Sequence, residues 1–436
     1  MELHTYLNNL GPSKGRPGLG RIQYLLKSIG SPENRLKIIH ILGTNGKGST
    51  AKFVASILQA AGFKVGLYTS PHLEKFNERI RVNDIPLTDG ELAQALDKVK
   101  SALKSLKKDC FGLGEPGMFE IATAIALSHF AEAEVDYAVL EAGLGGRFDA
   151  THVGDPLLTV ITRISLDHTE VLGDTVQLIA GEKAAAIPQN GTVIMGPQVE
   201  EAADVIRGVA KKQGAYIVDV GAGYQVDDIV PSVGGTRFRA AWENETQEVQ
   251  IGMLGLFQVT NAITALAAVH YLVSQGLPIR VDAIQRGLAA AVWPGRLEAV
   301  GTRPMIVLDG GHNLDGFQAL AESLPEYFSW KKLHLIMAVT GEKLVDPILR
   351  TILPLADSIT FTAPRQSRTR PISPKQLART ARTYMKEVCT APSFASAYRQ
   401  VLKKACPSDL ICVCGSLYLV GEARAYLLDS RTPAGI

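Results

Sequence analysis

The sequence predicts an α/β protein in two parts: a mostly parallel sheet domain carrying a phosphate-binding loop, followed by a smaller Rossmann-like domain. Three observations predict it. The stretch KIIHILGTNGKGSTAKFVASILQAAG, residues 37–62, reads as an apolar strand, a glycine-rich turn with one lysine, and an amphipathic helix. Apolar β-branched runs alternate with helical-period segments along the chain, the pattern of a parallel sheet covered on both faces. After Arg296 that alternation starts afresh, and 436 residues exceed what one core usually organises.

In order, the strand-like runs are KIIHIL, VGLYTS, DYAVLEA, LLTVITRISLD and TVIMG, with helices after the lysine, near 90–108 and at 117–132. From about 215 to 251 the short segments YIVDV, TRFRAAW and QEVQIGM suggest a small antiparallel excursion. LGLFQVTNAITALAAVHYLVSQG reads as a long helix, and VDAIQRGLAAAVWPGR closes at Pro294 and Gly295, which punctuate helices. PMIVLDGGHN, KLHLIMAVTGEK, DSITFTAP and DLICVCGSLYLVGEAR then each pair a strand with a helix. The boundary is expected at residue 297, giving domains 1–297 and 298–436.

Bulk composition excludes several classes. A net charge of +2, without a basic run interleaved with aromatics, gives no nucleic-acid footprint. No apolar run is expected to approach the roughly 20 residues of a membrane span, and the first residues lack the apolar core of a signal peptide, so a cytoplasmic protein without membrane partners is expected. Five cysteines without a CxxC pair, two of them in LICVCG, suggest buried reduced thiols.

Gly43, Gly46 and Gly48 free the backbone to turn its N–H groups inward at a helix N-terminus, an anion cradle. Lys47 supplies a charge for the β- and γ-phosphates, and Ser49 or Thr50 a hydroxyl near Mg²⁺. The spacing differs from GxxxxGK[ST] by the glycine between lysine and serine. Nucleoside triphosphate binding is the working reading; an ordinary strand-to-helix turn is the bland one.

Ligands of open parallel sheets collect beyond the strands' carboxyl ends. The polar residues there are Thr69 and Ser70, Glu141, and Asp167 with His168. Glu141 suits Mg²⁺, directly or through water, or is a loop carboxylate; Ser70 before Pro71 also suits a turn; His168, with Asp167 and Glu170 near it, is a ligand or a structural histidine. Lys183 in AGEKAAAI reads from its own surroundings as an exposed helical lysine. Asn261 and Arg296 are ambiguous alone. Asp309, His312 and Asn313 in VLDGGHN are either contacts to a nucleotide held by both domains or a polar βα turn.

Together GTNGKGST, YTSPHLEKFNERIRVN, MFE, EAGLGGRFDATH, SLDHTEVLGDT, GEKAAAI, WPGRLE, LDGGHN and GSLYLVGEAR resemble the folylpolyglutamate synthase and dihydrofolate synthase family, a branch of the Mur ligase superfamily, over about residues 20–425. The resemblance implies a Mur ligase central-type domain and an ATP-dependent amide ligase. Such enzymes phosphorylate a substrate carboxylate, and the α-amine of L-glutamate attacks the acyl phosphate. It implies phosphate contacts from Asn45, Gly46, Lys47, Gly48 and Ser49, and Mg²⁺ ligands Ser70, Glu141, His168 and a carbamylated Lys183. Lys47, Glu141, His168 and Lys183 become the catalytic set. Asn261, Arg296 and Asp309, with His312 added, become nucleotide contacts, Arg296 and Asp309 joining the domains around ATP. Phe119 and Arg147, Phe148, Asp149 and Ala150 fall on the pterin side. The implied substrates are dihydropteroate or reduced folates, L-glutamate and ATP, with a bifunctional enzyme expected; a monovalent-ion requirement is open, and monomers are common in the family.

The chain departs from the family at Gly117, where Thr-x-Phe-Glu is frequent, and at Arg370 and Pro371, where a small residue commonly follows the arginine. A monofunctional folylpolyglutamate synthase is the alternative. A cell-wall Mur ligase would carry more chain before the loop at residue 43, and an NTP-dependent switch would not need LDGGHN or GSLYLVGEAR.

Overall fold

A computed structural model describes residues 3–13, 17–109, 114–243, 245–341, 344–367 and 369–429. Glu342 and Lys343 of the TGEK run, Arg368 of FTAPRQSRTRP, and Cys110 lie outside them. The chain forms two compact units: Met1–Asp227 with Arg239–Val249 and Thr260–Ala291, and Asp228–Phe238 with Gln250–Val259 and Val292–Ile436.

The first unit is built on eight strands: β1 (Ile38–Leu42), β2 (Val65–Tyr68), β3 (Ile80–Val82), β4 (Ile85–Pro86), β5 (Tyr137–Glu141), β6 (Leu158–Ile161), β7 (Thr192–Met195) and β8 (Tyr216–Asp219). Their order is β4-β3-β2-β5-β1-β6-β7-β8. From β2 to β8 neighbours run parallel, and β3 and β4 add an antiparallel edge. Every residue of β1 and β5 is buried, which is why both read as apolar runs, β1 interrupted only by His40 and β5 closed by Glu141. The carboxyl ends of β2, β5, β1 and β6 therefore lie side by side, and they carry the polar residues singled out above.

YIVDV corrects the sequence reading. It is β8, parallel to β7, and not part of an antiparallel excursion. As an edge strand it has no fully buried residue, so it lacks the signature of the central parallel strands. The excursion itself is the three-stranded sheet β9 (Tyr224–Ser232), β10 (Gly235–Trp242) and β11 (Glu245–Ile251), whose residues divide between the two units. β3 and β4 form a hairpin that the sequence reading did not name: Asn83 and Asp84 both take left-handed φ, 49° and 67°, as a two-residue primed turn requires.

One helix, Leu256–Ser274, is long and apolar enough to cross a membrane by length and composition, contrary to expectation, but 67% of that window is buried inside the protein. It is apolar all round because it is a core helix. Helix Val281–Ala290 lies against Lys47–Ala60 so closely that a Cβ on Gly287 would stand 2.4 Å from Ile57 Cα.

The second unit carries β12 (Glu298–Thr302), β13 (Met305–Leu308), β14 (Leu333–Met337), β15 (Ser358–Phe361), β16 (Val388–Thr390) and β17 (Leu410–Cys414) in the order β12-β13-β17-β14-β15-β16. Only β12 is antiparallel. Cys412 and Cys414 are buried free thiols in its centre, and Cys389 and Cys406 are also free.

At the amino ends of these strands His334 joins Ser358 Oγ (2.8 Å) and Asp409 Oδ2 (3.3 Å), all three buried. The trio has the residue types of a hydrolase triad, but burial on the edge opposite Asp309 makes it structural. Burial alone would raise the Asp409 carboxyl; the Cys406 amide and the His334 ring outweigh it and hold it below the ordinary range. Its folded pKa being depressed, its contribution is present above the unfolded pKa of about 3.9 and is lost as pH falls through the folded value. Asp409→Ala is expected to cost on the order of 2 kcal/mol in urea unfolding at pH 7, with the difference from wild type shrinking below pH 4.

Candidate active site

The cradle follows β1 directly. Gly43 has φ 143°, and a Cβ there would stand 1.9 Å from Thr162 Oγ1, the hydroxyl that donates to the carbonyls of Leu42 (3.1 Å) and Asn45 (2.8 Å). Thr44 and Asn45 donate backbone N–H groups to the Arg163 carbonyl, and Asn45 Nδ2 reaches Ser165 Oγ. The turn is thus built jointly by β1 and the segment after β6. Gly46, at φ 85°, precedes helix Lys47–Ala60, and a Cβ on it would lie 2.1 Å from Asn261 Oδ1. Asn261, ambiguous in sequence, is therefore packed on the cradle. Lys47 Nζ donates to the Thr44 carbonyl (3.1 Å), Ser49 and Thr50 are buried in the first helical turn, and Gly48 lies between.

Ser70 and Glu141 meet through the Ser70 amide, which donates to Glu141 Oε2 at 2.9 Å. Beyond Glu141 the GLGGRFDATH loop closes on Asp149. One Asp149 oxygen accepts the amides of Gly143 and Leu144, each at 2.9 Å, and the other accepts the Thr151 amide (3.0 Å) and hydroxyl (2.5 Å). Burial raises its pKa against these four bonds. Asp149 is thus engaged in shaping the loop. Phe148 is exposed and Ala150 buried, while Arg147 pairs with Glu182 at 3.4 Å. Phe119 lies under the loop, its ring 2.6 Å from where a Gly143 Cβ would stand.

The Gly117 departure has a structural counterpart. A Cβ at 117 would lie 2.3 Å from Ser13 N and 2.7 Å from Ser13 Oγ. Ser13 Oγ accepts the Gly117 amide (3.2 Å) and donates to Glu120 Oε2 (2.6 Å), and Arg21 holds Glu120 Oε1 at 2.8 Å. The backbone of Pro12 and Ser13, together with the Ser13 hydroxyl, occupies the place of a side chain at 117.

Lys183 overturns its bland reading: it is buried, 4% exposed, at the end of helix Val176–Ala184. Burial and the neighbouring Lys47 charge, opposed by Asp149 and Asp167, push its amine down to about 7. The loop packs on it, since a Cβ on Gly146 would meet the Lys183 carbonyl at 2.8 Å. His168, at φ 51°, is half-exposed and 3.7 Å from Glu170. Among the described residues no three His, Cys, Asp or Glu side chains cluster to hold a metal. Ser70 and Glu141 carry hard oxygens of the kind that suits Mg²⁺, and His168 carries a nitrogen.

In the second unit Asp309 ends β13. It is buried and accepts the amides of Leu297 (2.9 Å) and Gly311 (2.7 Å); burial raises its pKa, opposed by Arg296. Gly310 leaves room for Arg296, whose Nη1 lies 2.3 Å from a hypothetical Cβ. His312 Nδ1 bonds the Gly310 carbonyl at 3.0 Å, and Asn313 caps the following helix. Sequence reasoning missed Thr362 and Ser416, buried hydroxyls just beyond β15 and β17 that have no hydrogen-bond partner among the described residues. The strand-end rule applied to the first unit would have found them.

Residues 41–269 match the Mur ligase middle domain and residues 295–417 the Mur ligase glutamate ligase domain, so the chain is a Mur ligase in class. It is 34% identical to the dihydrofolate synthase/folylpolyglutamate synthase of Bacillus subtilis over 94% of this chain and 95% of that one. Its structure is similar to Mycobacterium tuberculosis folylpolyglutamate synthase complexed with ADP (TM-score 0.90, 30% identity, 97% of each chain) and to an FPGS–AMPPCP–folate complex (TM-score 0.87, 30% identity, 98% of each chain). The chain belongs to the dihydrofolate synthase/folylpolyglutamate synthase family.

Proposed function

We propose that this chain is an ATP-dependent ligase that adds L-glutamate to dihydropteroate and to the glutamyl tail of reduced folates, through an acyl phosphate. One observation carries the reading: the cradle after β1 and the GLGGRFDATH loop after β5 sit at the carboxyl ends of adjacent parallel strands. A γ-phosphate in the first and an acceptor in the second are within reach of each other, and positioning plus charge neutralisation is most of what phosphoryl transfer needs.

In this reading Asn45, Gly46, Lys47, Gly48 and Ser49 bind the phosphates; Asn261, Arg296, Asp309 and His312 contact the nucleotide. Phe119, Arg147, Phe148 and Ala150 face the pterin substrate, with Asp149 shaping their loop. Residues 1–297 form the ATP-binding domain and 298–436 the glutamate ligase domain. Ser70, Glu141, His168 and the Lys183 carbamate would hold Mg²⁺, which supplies charge neutralisation at the transferred group. Lys183 fits carbamylation because only the neutral amine attacks CO₂, forming an N–C bond and releasing a proton, and its lowered pKa keeps much of it neutral near pH 7. A monomeric, cytoplasmic enzyme accompanies the reading.

Phosphate release with ATP, Mg²⁺ and L-glutamate, with dihydropteroate, tetrahydrofolate or neither, tests it. Turnover with both acceptors is expected, with products one glutamate heavier by mass. Turnover with tetrahydrofolate alone makes the enzyme monofunctional, and phosphate release without either acceptor overturns the reading.

A further inference from the structure

His40 is a polar ring in the centre of β1, 1% exposed in a strand otherwise of Ile and Leu. A buried polar ring there costs stability unless it is partnered. Its Nε2 lies 2.8 Å from Thr151 Oγ1. That hydroxyl donates its single hydrogen to Asp149 Oδ1, so toward the ring it accepts, and Nε2 carries the proton. Asp149 in turn holds the Gly143 and Leu144 amides. The next residue, His152, stacks on His40 with centroids 6.3 Å apart and planes 16° apart, and its Nδ1 donates to the Arg147 carbonyl at 3.1 Å. Both the front of the loop, through Thr151 and Asp149, and its middle, through His152, refer back to one ring. Three residues further along the chain from that ring stands Gly43, where the phosphate cradle begins.

We propose that His40 is a positioning residue for the acceptor substrate: from the strand that feeds the phosphate cradle it fixes the 143–152 loop through Thr151 and His152, and so sets the loop's register against the cradle. This rests on the function proposed above. Burial, with the nearby His152, lowers the ring's pKa to about 3, so the neutral Nε2–H donor persists across the working pH range.

His40→Leu, His40→Gln, Thr151→Val and the His40→Leu/Thr151→Val pair are compared with wild type for KM of tetrahydrofolate and of ATP, for kcat and for melting temperature. His40→Leu should raise the KM for tetrahydrofolate about tenfold with the KM for ATP changed less than about threefold. Thr151→Val should do the same, and the pair should be no worse than the worse single change, because one chain of bonds is cut. His40→Gln, whose amide N–H reaches the same hydroxyl, should recover most of the loss.

Equal changes in both KM values, additive effects of the two substitutions, or a lower melting temperature with unchanged kinetics would each overturn the proposal. Should His40→Leu fail to fold, Thr151→Val, which removes one hydroxyl with its bonds to Asp149 and to the His40 ring, decides. Nitrogen-15 NMR of labelled histidine in the wild-type protein should show Nε2 protonated and Nδ1 bare, and the reverse would overturn it. Because the spectrum needs no turnover, an inactive wild type would count against the proposed function and leave the role of His40 to be decided by NMR.

Discussion

Lys183→Met is expected to lower glutamate ligation by about a thousandfold, the scale of losing preorganised charge stabilisation at the transferred phosphoryl group, while the melting temperature holds or rises. The two halves have one cause. The amine is buried at the end of helix Val176–Ala184 with Lys47 nearby, and its pKa falls to about 7. In the unfolded chain it returns to about 10.4, so between those values the unfolded state binds the extra proton. Stability therefore rises with pH through that window, and the protonated amine's cost is fully present below about pH 7. Methionine fills similar volume without that cost. Wild-type activity should fall in buffer stripped of CO₂ and return on adding bicarbonate, whereas Lys183→Met should ignore bicarbonate. Normal turnover by the variant would end the carbamate assignment.

Gly46→Ala is expected to cut kcat/KM for ATP about a hundredfold or more. Two penalties coincide at this position. Its φ of 85° is one that a residue with a Cβ adopts at a cost of roughly 1–2 kcal/mol. The added methyl would also stand 2.1 Å from Asn261 Oδ1, so either the helix or the carboxamide must move, and a displacement near 1 Å at phosphate-binding groups is enough for losses of that size. The two penalties separate in a double-mutant cycle. Gly46→Ala combined with Asn261→Ala should lose less than the sum of the single changes, the difference measuring the clash alone. Strict additivity would mean the carboxamide plays no part.

What could be read from the chain followed burial. β1, β5, β14 and β17 are buried along their whole length, so apart from His40, Glu141 and His334 their sequences are apolar and their positions were plain. β8 is an edge with no fully buried residue and so lacks the central strands' pattern, and the three residues of β16 are too few to show a period. At the site, the cradle's glycines and lysine are local in sequence and were legible as a unit. Lys183 was misjudged from its own surroundings because its burial comes from the packed loop at Gly146 and not from its helix. The roles of Asp149, engaged by four bonds, and of His40, 111 residues from Thr151, exist only once strands are paired.

The close approach of Ser13 to Gly117 bears on how such a chain can change over descent. Because the Ser13 amide and hydroxyl and the Pro12 backbone stand where a side chain at 117 would lie, threonine at 117 is barred by the path of that segment, whereas losing the Ser13 hydroxyl leaves the Gly117 amide its bond to Glu120 Oε2 at 2.8 Å. Exchanging the side chain of residue 13 does not open that space, because the atoms nearest a Cβ at 117 include the segment's own backbone, Ser13 N at 2.3 Å and Pro12 C at 2.8 Å. Glycine at 117 should therefore travel through lineages with the course of the chain at Pro12 and Ser13, the latter 104 residues before it in sequence, and a threonine grafted at 117 from a relative should succeed only when that segment is rerouted with it.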